Sequence, residues 1–319
     1  MRMIHLRLVS PPDLAPRAAS LLSGDPFVFN LVVHPASARH PDGDAVECDV
    51  LSGGANAVLR GLRELGLHHR GSIVIEPVEI AFSGVAAEVE RRQLGALAHA
   101  PVWEEVEARI RSEGVYGPSF YVYLVIAGVL AAVGILTNSQ ILIVAAMVVG
   151  PEYGAITCVA LAVDRGDAKR ARQGLSALTS GFLMAVTVTF AFSWAVRALD
   201  LQPKAFELGI RPVSTLIDAP DVFSVVVAVL AGVVGIMSLT QVRSSALLGV
   251  FISITTIPAA ADIGVSCAFS SWSDARGSLA QLLLNILLLI ATGVLTLRFQ
   301  RVVWRHISRR RARSGARVR

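Results

Sequence analysis

The sequence predicts an α-helical integral membrane protein of about six spans, preceded by a soluble α+β domain with a ferredoxin-like βαββαβ order. Hydrophobic residues make up 54% of the chain, charged residues only 17%, and the mean hydropathy is +0.60; in ordinary soluble domains about a quarter of the residues are charged. The charges are also segregated, because residues 1–115 mix them normally whereas residues 119–298 contain long runs with almost none. Finally, an apolar run broken at Gly150-Pro151 recurs in similar form about a hundred residues later.

These changes in composition divide the chain into four segments. Residues 1–84 form the predicted soluble domain, 85–117 an amphipathic helical linker, 118–298 the membrane domain and 299–319 a basic cytoplasmic tail. In the linker, Val102, Val106 and Ile110 fall on one helical stripe beside Trp103. That stripe fits either the membrane surface or the soluble domain.

Alternation of apolar and polar residues predicts four strands in the soluble domain, at residues 4–8, 27–33, 46–50 and 72–76. Apolar residues at helical spacing predict helices at 11–22 and 58–65, the second ending before Gly66. Residues 34–43 are rich in Pro, Ser and Gly and are expected to form a loop. The resulting order is the ferredoxin-like one, which by itself does not identify a function.

A helix needs about 20 apolar residues, at 1.5 Å each, to cross a bilayer. Six segments are predicted to do so: 119–136, 141–163, 175–196, 221–238, 246–270 and 279–297. Cytoplasmic loops carry an excess of Lys and Arg, and the loop at 164–174, the loop containing Arg243 and the chain from Arg298 onward are all basic. Both termini are therefore expected in the cytoplasm, with the spans in the cytoplasmic (inner) membrane. If residues 139–163 instead formed a re-entrant hairpin, the loop at 164–174 would lie outside.

The basic character of the chain belongs to its tail. The net charge is +5, and the nine Arg from Arg298 onward, among which no acid occurs, leave −4 for the rest. A polybasic segment just after a span is expected to attract anionic lipid. Nucleic-acid binding is not expected, because no aromatic or glycine motif accompanies the arginines.

The membrane domain contains an internal repeat, with copies at about 119–196 and 221–297. Gly134-Ile135 matches Gly235-Ile236 at an offset of 101 residues, and six extra residues then enter the second copy, so that at an offset of 107 Pro151 matches Pro258 and Asp167-Ala168-Lys169 matches Asp274-Ala275-Arg276. Each copy holds three predicted spans, an odd number, so the copies would insert in opposite orientations. Such a 3+3 inverted repeat is typical of secondary transporters, whose sites lie where broken helices meet.

The candidate site lies at the breaks in the second and fifth predicted spans. A proline removes a backbone donor and frees a carbonyl that another group must satisfy. The residues concerned are Gly150, Pro151, Glu152, Tyr153 and Gly154 in the second span, and Thr255, Thr256, Pro258 and Asp262 in the fifth. A carboxylate at mid-bilayer costs about 2.5–3.5 kcal/mol on insertion scales, and neither span contains Lys or Arg around the break. We therefore expect a proton, a cation or a cationic substrate as partner; the alternative is that the acids are hydrated near an interface.

Four further polar residues are secondary candidates. Asn138, Gln140 and Gln241 lie near the ends of predicted spans, where a polar turn at the membrane surface is the more common role. Asn285 lies within an apolar span and is expected to hydrogen-bond to another helix rather than to a ligand.

Motifs for catalysis, metals and cofactors are missing from the sequence. It contains no Gly-x-Ser-x-Gly, His-Glu-x-x-His, Walker loop or dinucleotide fingerprint. The adjacent His68 and His69 would point apart, and Cys48, Cys158 and Cys267 have no metal-ligand spacing. We therefore expect neither an enzyme nor a metal site nor a cofactor.

The motif Gly134-Ile-Leu-Thr-Asn-Ser through Ala146-Met147-Val-Val-Gly150-Pro151 resembles a bacterial and archaeal family of "uncharacterised hydrophobic domain" proteins, domain of unknown function 389. The resemblance covers roughly residues 115–300, and a soluble region before the hydrophobic domain is also similar. Many members have serine where this chain has Gly150. The resemblance implies an integral membrane protein and supplies no activity, substrate or catalytic residues.

Two classes of function remain open. The first is a transporter or channel for an ion or small solute, with its site at the paired breaks and an N-terminal domain that senses or gates. The second is a membrane scaffold or signalling protein whose soluble domain binds a ligand or partner; a membrane enzyme is a third, weaker alternative. Exposed sheet edges and small residues in the spans are compatible with a homo-oligomer.

Overall fold

The computed structural model describes residues 2–78, 81–94, 100–209, 214, 217, 221–241, 250 and 255–315. The chain forms two compact units. The first unit comprises Met1–Glu107 and Arg301–Arg319, and the second comprises Ala108–Gln300.

The first unit is built on a four-stranded antiparallel sheet. Its elements are β1 (Met3–Ser10), α1 (Ala15–Ser23), β2 (Val28–Arg39), β3 (Asp42–Leu51), α2 (Ser52–Glu64), the short α3 (Leu67–Arg70) and β4 (Ser72–Val78). The strand order is β2-β3-β1-β4, and each neighbouring pair is antiparallel. The four predicted strands and the two main predicted helices of this part of the chain are therefore present.

The prediction of a loop at residues 34–43 is wrong. Strand β2 continues to Arg39 and β3 begins at Asp42, so most of this segment is a long hairpin in which Ala38 pairs with Gly43. The pairing is irregular near Asn30 and Ala36, which both have positive φ. Such irregularities resemble bulges, which let Pro and small residues remain in an edge strand.

The core of the first unit follows the alternation in β1 and β3. Ile4, Leu6 and Leu8 share the buried face with residues 46, 48 and 50, and apolar side chains of α1 and α2 pack against them. Gly66 has a φ of 77° and ends the helical stretch that precedes α3. Val102 of the predicted linker is fully buried in this core. The linker stripe is therefore used, at least at Val102, for packing within the first unit.

The rest of the described linker is helical. It contains α4 (Gly84–Val89), a π-helical turn (Glu90–Leu94) and α5 (Trp103–Ser112). The hydroxyl of Ser83 caps α4 by accepting a hydrogen bond from the backbone N–H of Ala86.

The second unit is helical. Its elements are α6 (Pro118–Leu136), α7 (Gln140–Val149), α8 (Glu152–Arg165), α9 (Ala168–Ala198), α10 (Lys204–Glu207), α11 (Val222–Gln241), α12 (Thr256–Ala268) and α13 (Trp272–Gly315). Capping residues set several of these boundaries: Ser139 caps α7, Gly166 ends α8 in a left-handed conformation and Asp167 caps α9.

Four of these helices, α6, α9, α11 and α13, are long and apolar enough to cross a membrane, and α7 with α8 passes the same test as a pair bent by 49°. By length and composition the described residues thus provide four spans, or five if the bent pair is one span. These helices fit a multi-pass membrane protein. Six spans are not confirmed, because α12 has only 13 residues, about 20 Å, against a hydrocarbon core of about 30 Å. Residues 242–249 and 251–254, and with them Arg243, lie outside the described residues.

Helix α12 lies in the core of the second unit. Eleven of its 13 residues are buried, and it packs against α6, α7 and α9. The contact with α9 is close at Gly264, where an added Cβ would lie 2.9 Å from the Cβ of Thr189. At the C-terminal end of α12, the guanidinium of Arg197 donates a hydrogen bond of 2.6 Å to the carbonyl of Ala268. Small residues therefore permit the helix packing here, as is common between membrane helices.

The predicted tail begins as a continuation of α13. The guanidinium of Arg301 lies 3.3 Å from the carboxylate of Glu107 and 5.2 Å from the ring of Trp103. Trp304 and Ile307 pack against the small buried cluster that contains Met3 and Leu51. From Arg301 onward, the basic segment is therefore part of the first unit.

Candidate functional site

The apolar run of the second predicted span is interrupted between α7 and α8. Helix α7 ends at Val149, and Pro151 is the N-terminal cap residue of α8. Pro151 has no N–H to continue the hydrogen bonding of α7, which accounts for the end of that helix. The two helices meet at an angle of 49°. The predicted break at Gly150-Pro151 is therefore present.

Glu152, the first residue of α8, is buried at this break, with only 3% of its surface exposed. Its Oε1 accepts a hydrogen bond of 2.8 Å from the hydroxyl of Thr256. Its Oε2 is also buried and has no hydrogen-bond partner among the residues that the structure describes. The carboxyl group is thus enclosed by protein and only partly satisfied by it.

Gly150 leaves room for this arrangement. A Cβ on Gly150 would lie 1.8 Å from Cδ1 of Ile257 and 2.3 Å from Oε2 of Glu152. The break between α7 and α8 is therefore in direct contact with the first turn of α12, and the two stretches that the sequence singled out lie side by side.

The carboxyl group of Glu152 lies where two helices begin, since Thr256 is the first residue of α12. Helix N-termini carry a partial positive charge and unpaired N–H groups, which favour a nearby anion. This placement lowers the cost of burying a carboxylate without requiring a Lys or Arg partner.

Thr255 and Asn285 extend the polar contacts beside Thr256. Thr255 is the N-terminal cap residue of α12, and its hydroxyl accepts a hydrogen bond of 2.8 Å from the side-chain amide of Asn285 on α13. Asn285 is buried. As the sequence led us to expect, this asparagine hydrogen-bonds to another helix.

Tyr153 and Gly154 occupy packing positions. A Cβ on Gly235 would lie 1.6 Å from the hydroxyl of Tyr153, so the tyrosine fits against α11 only because that position is glycine. Gly154 faces Glu113, whose Cβ would lie 2.9 Å from a Cβ on Gly154.

Pro258 lies within a helix without interrupting it. Helix α12 begins at Thr256, so Pro258 is its third residue. In the first turn the backbone N–H has no partner within the helix, and proline is tolerated there. Among the described residues, the interruption in the fifth predicted span is thus the start of α12.

Asp262 forms a second buried polar cluster further along α12. The side chain is fully buried. Its Oδ1 accepts a hydrogen bond of 2.7 Å from the hydroxyl of Ser214, and its Oδ2 accepts hydrogen bonds of 2.6 Å from Ser278 and 3.3 Å from Ser266. Hydroxyl groups from three parts of the chain thus surround this carboxyl group.

The two carboxyl groups lie at different positions along α12. Thr256, which holds Glu152, and Asp262 are six residues apart on α12, which corresponds to about 9 Å along its axis and to different faces. The structure therefore gives each acid its own set of hydroxyl partners.

The secondary candidates at the ends of spans are placed differently. Asn138 is in the turn between α6 and α7, and Gln140 is an exposed residue in the first turn of α7. The length of α7, about 15 Å, separates Gln140 from the break. Gln241 ends α11, and its side chain lies outside the described residues.

The sequence analysis missed Ser214, Ser266 and Ser278. Ser266 follows Asp262 by one helical turn, and this spacing is a signal that could have been used. Nothing in the sequence distinguishes Ser214 or Ser278 from serines whose hydroxyl groups bond to their own helix, as that of Ser238 does with the carbonyl of Val234.

The chemistry available at these clusters is the binding of protons or small cations by carboxylate and hydroxyl oxygens. Among the described residues, no group of three or more His, Cys, Asp or Glu side chains could hold a metal ion together. Each cluster instead combines one carboxyl group with hydroxyl groups.

Comparison with known families gives one match. Residues 147–291 match the model of the family described as "Domain of unknown function (DUF389)". No curated protein and no solved structure matches the chain. The matched segment contains both Glu152 and Asp262, together with α8, α9, α11 and α12. Residues 147–291 are therefore a domain of the DUF389 family, as the sequence motif indicates.

Proposed function

We propose that this protein is a non-enzymatic membrane transporter or channel for a proton or another small cation, with its site at Glu152. The observation that carries the proposal is the buried carboxyl group at a helix break. Glu152 has one oxygen bonded to Thr256 and the other without a partner among the described residues. Ionisable groups within membrane helices are rare, and they commonly line ion and substrate pathways.

An inverted repeat is part of this proposal. The helices of the two halves begin at a constant separation of 104 residues: α6 and α11 at Pro118 and Val222, α8 and α12 at Glu152 and Thr256, and α9 and α13 at Ala168 and Trp272. This regularity supports a common three-part plan in both halves. The proposal gives each half three spans, the short helix α12 being part of the middle one in the second half. With that odd number, the second half would be inverted relative to the first. Glu152 and Thr256 are then equivalent positions that meet near the axis relating the halves, where transporters of this class bind their substrates.

Charge and topology support the proposed orientation of the spans and the proposed roles of the N-terminal domain and the basic tail. We place the spans in the cytoplasmic membrane with both termini inside, because the segment at 164–174 and the end of the chain are basic. The strand order β2-β3-β1-β4, with its two intervening helices, supports a ferredoxin-like domain. That domain would sense or gate, the arginines after residue 308 would attract anionic lipid, and the protein would assemble as a homo-oligomer.

Proteoliposome flux measurements test the proposal. Purified protein is reconstituted, a membrane potential is imposed, and the movement of H⁺, Na⁺ and K⁺ is followed with internal fluorescent indicators. We expect at least one of these cations to move faster than in protein-free vesicles. Glu152→Gln should slow that flux roughly tenfold or more, because a charge-assisted contact contributes about 1.5–3 kcal/mol.

Glu207→Gln is the matched control, since it makes the same change at an exposed position of the second unit. Its flux should equal that of the wild type. If none of the three cations moves faster than in empty vesicles, the transport proposal fails and the scaffold or signalling alternative replaces it. Equal flux in wild type and Glu152→Gln would show that the site is elsewhere.

A further inference from the structure

Another polar feature of the second unit is an open cleft near the first residues of α6 and α9. The cleft has a volume of about 660 Å³, within the range of small-molecule sites. Its polar lining consists of Tyr116, Tyr121, Lys169, Arg172, Gln173 and Ser176. These residues are distinct from those around Glu152 and Asp262.

The cleft is cationic. Lys169 and Arg172 are its charged lining residues, and no Asp or Glu in the described part of the chain lines it. The neighbouring Arg170 has its guanidinium 3.2 Å from the carboxylate of Asp167 and does not line the cleft. Two positive charges thus face one open space without an acid between them.

Tyr121 adds a hydroxyl group that can donate a hydrogen bond. The hydroxyl of Tyr121 lies 3.4 Å from that of Ser180, which itself donates to the carbonyl of Ser176 at 2.8 Å. Tyr116 also lines the cleft, but its hydroxyl is buried beside the Cys158 thiol, so Tyr116 is not counted as a donor to the cleft. Gly174 allows the Tyr116 ring to approach α9, because a Cβ there would lie 3.0 Å from the Tyr116 hydroxyl.

The position of the cleft indicates where its ligand would come from. It lies where two long apolar helices begin, and tyrosines and basic residues are enriched at this level of a membrane. Exposed apolar side chains follow at once along both helices, with Val122 on α6 and Leu175 on α9 being 54% and 43% exposed. A headgroup phosphate in the cleft would thus have its acyl chains alongside apolar helix surface.

We propose that this cleft binds a phosphate group, with Lys169 and Arg172 as its cationic ligands and Tyr121 as a neutral donor. Two cations and several N–H and O–H donors match the charge and oxygen acceptors of a phosphate. An anionic phospholipid headgroup is the favoured source, and a free phosphate ion offers the same chemistry. The proposal does not depend on transport by the protein.

The test is a thermal-unfolding titration of the full-length protein in detergent. The additives are short-chain phosphatidylglycerol, short-chain phosphatidylcholine and inorganic phosphate. The cleft variant is Lys169→Gln/Arg172→Gln. The control is Arg165→Gln/Arg170→Gln, which removes the same charge from the same segment without altering the cleft lining.

We expect phosphatidylglycerol to raise the unfolding temperature with saturation. The half-saturating concentration should increase about fivefold for each cleft cation removed, and little in the control. Saturation by inorganic phosphate, lost in the same variant, would support the site with a free anion as ligand. Equal weakening in both double variants would show diffuse surface attraction and would overturn the proposal, as would the absence of any saturable shift with phosphatidylglycerol and phosphate.

Discussion

The hydroxyl of Thr256 donates a hydrogen bond of 2.8 Å to the carboxylate of Glu152, and these two residues, 104 positions apart, are the first residues of α12 and α8. One contact therefore joins the starts of two helices inside the membrane unit. Both residues are buried, so removal of one partner leaves the other without solvent to bond to. Substitution of either side chain can therefore measure what the contact contributes.

Replacement of Thr256 should reveal the contribution of that bond to stability. Thr256→Val keeps the shape of the side chain and removes the only described donor to Glu152 from another side chain. We expect it to lower the free energy of unfolding by about 1–3 kcal/mol, the usual cost of an unsatisfied buried polar group. Thr256→Ser keeps the hydroxyl and should lose less. Denaturant unfolding in detergent measures both values.

The interpretation depends on coupling between the two side chains. In a Glu152→Gln background the charge is absent, so Thr256→Val should cost less than it does in the wild type. Equal costs in the two backgrounds would mean that the valine acts through packing alone.

Gly150→Ala should disturb the contact between the helix break and α12. The added Cβ would lie 1.8 Å from Cδ1 of Ile257 and 2.3 Å from Oε2 of Glu152. Overpacking of this kind costs about 1–3 kcal/mol. We expect a lower unfolding temperature, measured by intrinsic fluorescence. Adding Ile257→Val, which removes Cδ1, should restore part of the loss.

Gly117→Ala is the control for that experiment. Its Cβ would approach the hydroxyl of Ser119 only to 3.9 Å, and its backbone is extended. It should therefore change the unfolding temperature little. If Gly150→Ala is as well tolerated as Gly117→Ala, the close approach of Ile257 does not exist in the folded protein.

The sequence was sufficient to locate the break and the acid beside it. Gly150-Pro151 interrupts an apolar run, and a carboxyl group in such a run needs a partner wherever the helices pack. The sequence did not identify Thr256 as the partner of Glu152. The repeat, aligned on matching residues, pairs Pro151 with Pro258, whereas the helices begin 104 residues apart, so the two prolines take different places in their helices.

The serines around Asp262 and the hairpin at β2 and β3 show a second limit. A hydroxyl in an apolar helix can bond to its own backbone one turn earlier, as Thr187 does with the carbonyl of Leu183, or reach another helix, as Ser278 does with Asp262. Both uses have the same sequence pattern, and only packing separates them. Likewise the Pro, Ser and Gly of residues 34–43 favour turns locally, while pairing with β3 extends the strand.

Cys48 should be unreactive in the folded protein. It is buried in the core of the first unit, and burial, with a smaller effect of the Asp49 charge, raises the pKa of its thiol to about 12. Compared with the ordinary value of 9.0, this lowers the thiolate fraction near pH 8 about a thousandfold. Alkylation followed by peptide mapping should find Cys48 unmodified until denaturant is added. Rapid modification under native conditions would contradict the burial of β3.

The hydroxyl groups around Asp262 should contribute unequally. Ser278 donates at 2.6 Å and Ser266 at 3.3 Å to the same oxygen, Oδ2. Short hydrogen bonds to a carboxylate are the strong ones, so Ser278→Ala should cost about 1.5–3 kcal/mol of unfolding free energy and Ser266→Ala clearly less. Both serines are buried, so each substitution removes a similar volume and the pair is internally matched. In Asp262→Asn the charge is lost and the difference between the two alanine variants should shrink. If Ser266→Ala proves the more costly of the two in wild type, the bond to Ser278 is not the main support of this carboxyl group.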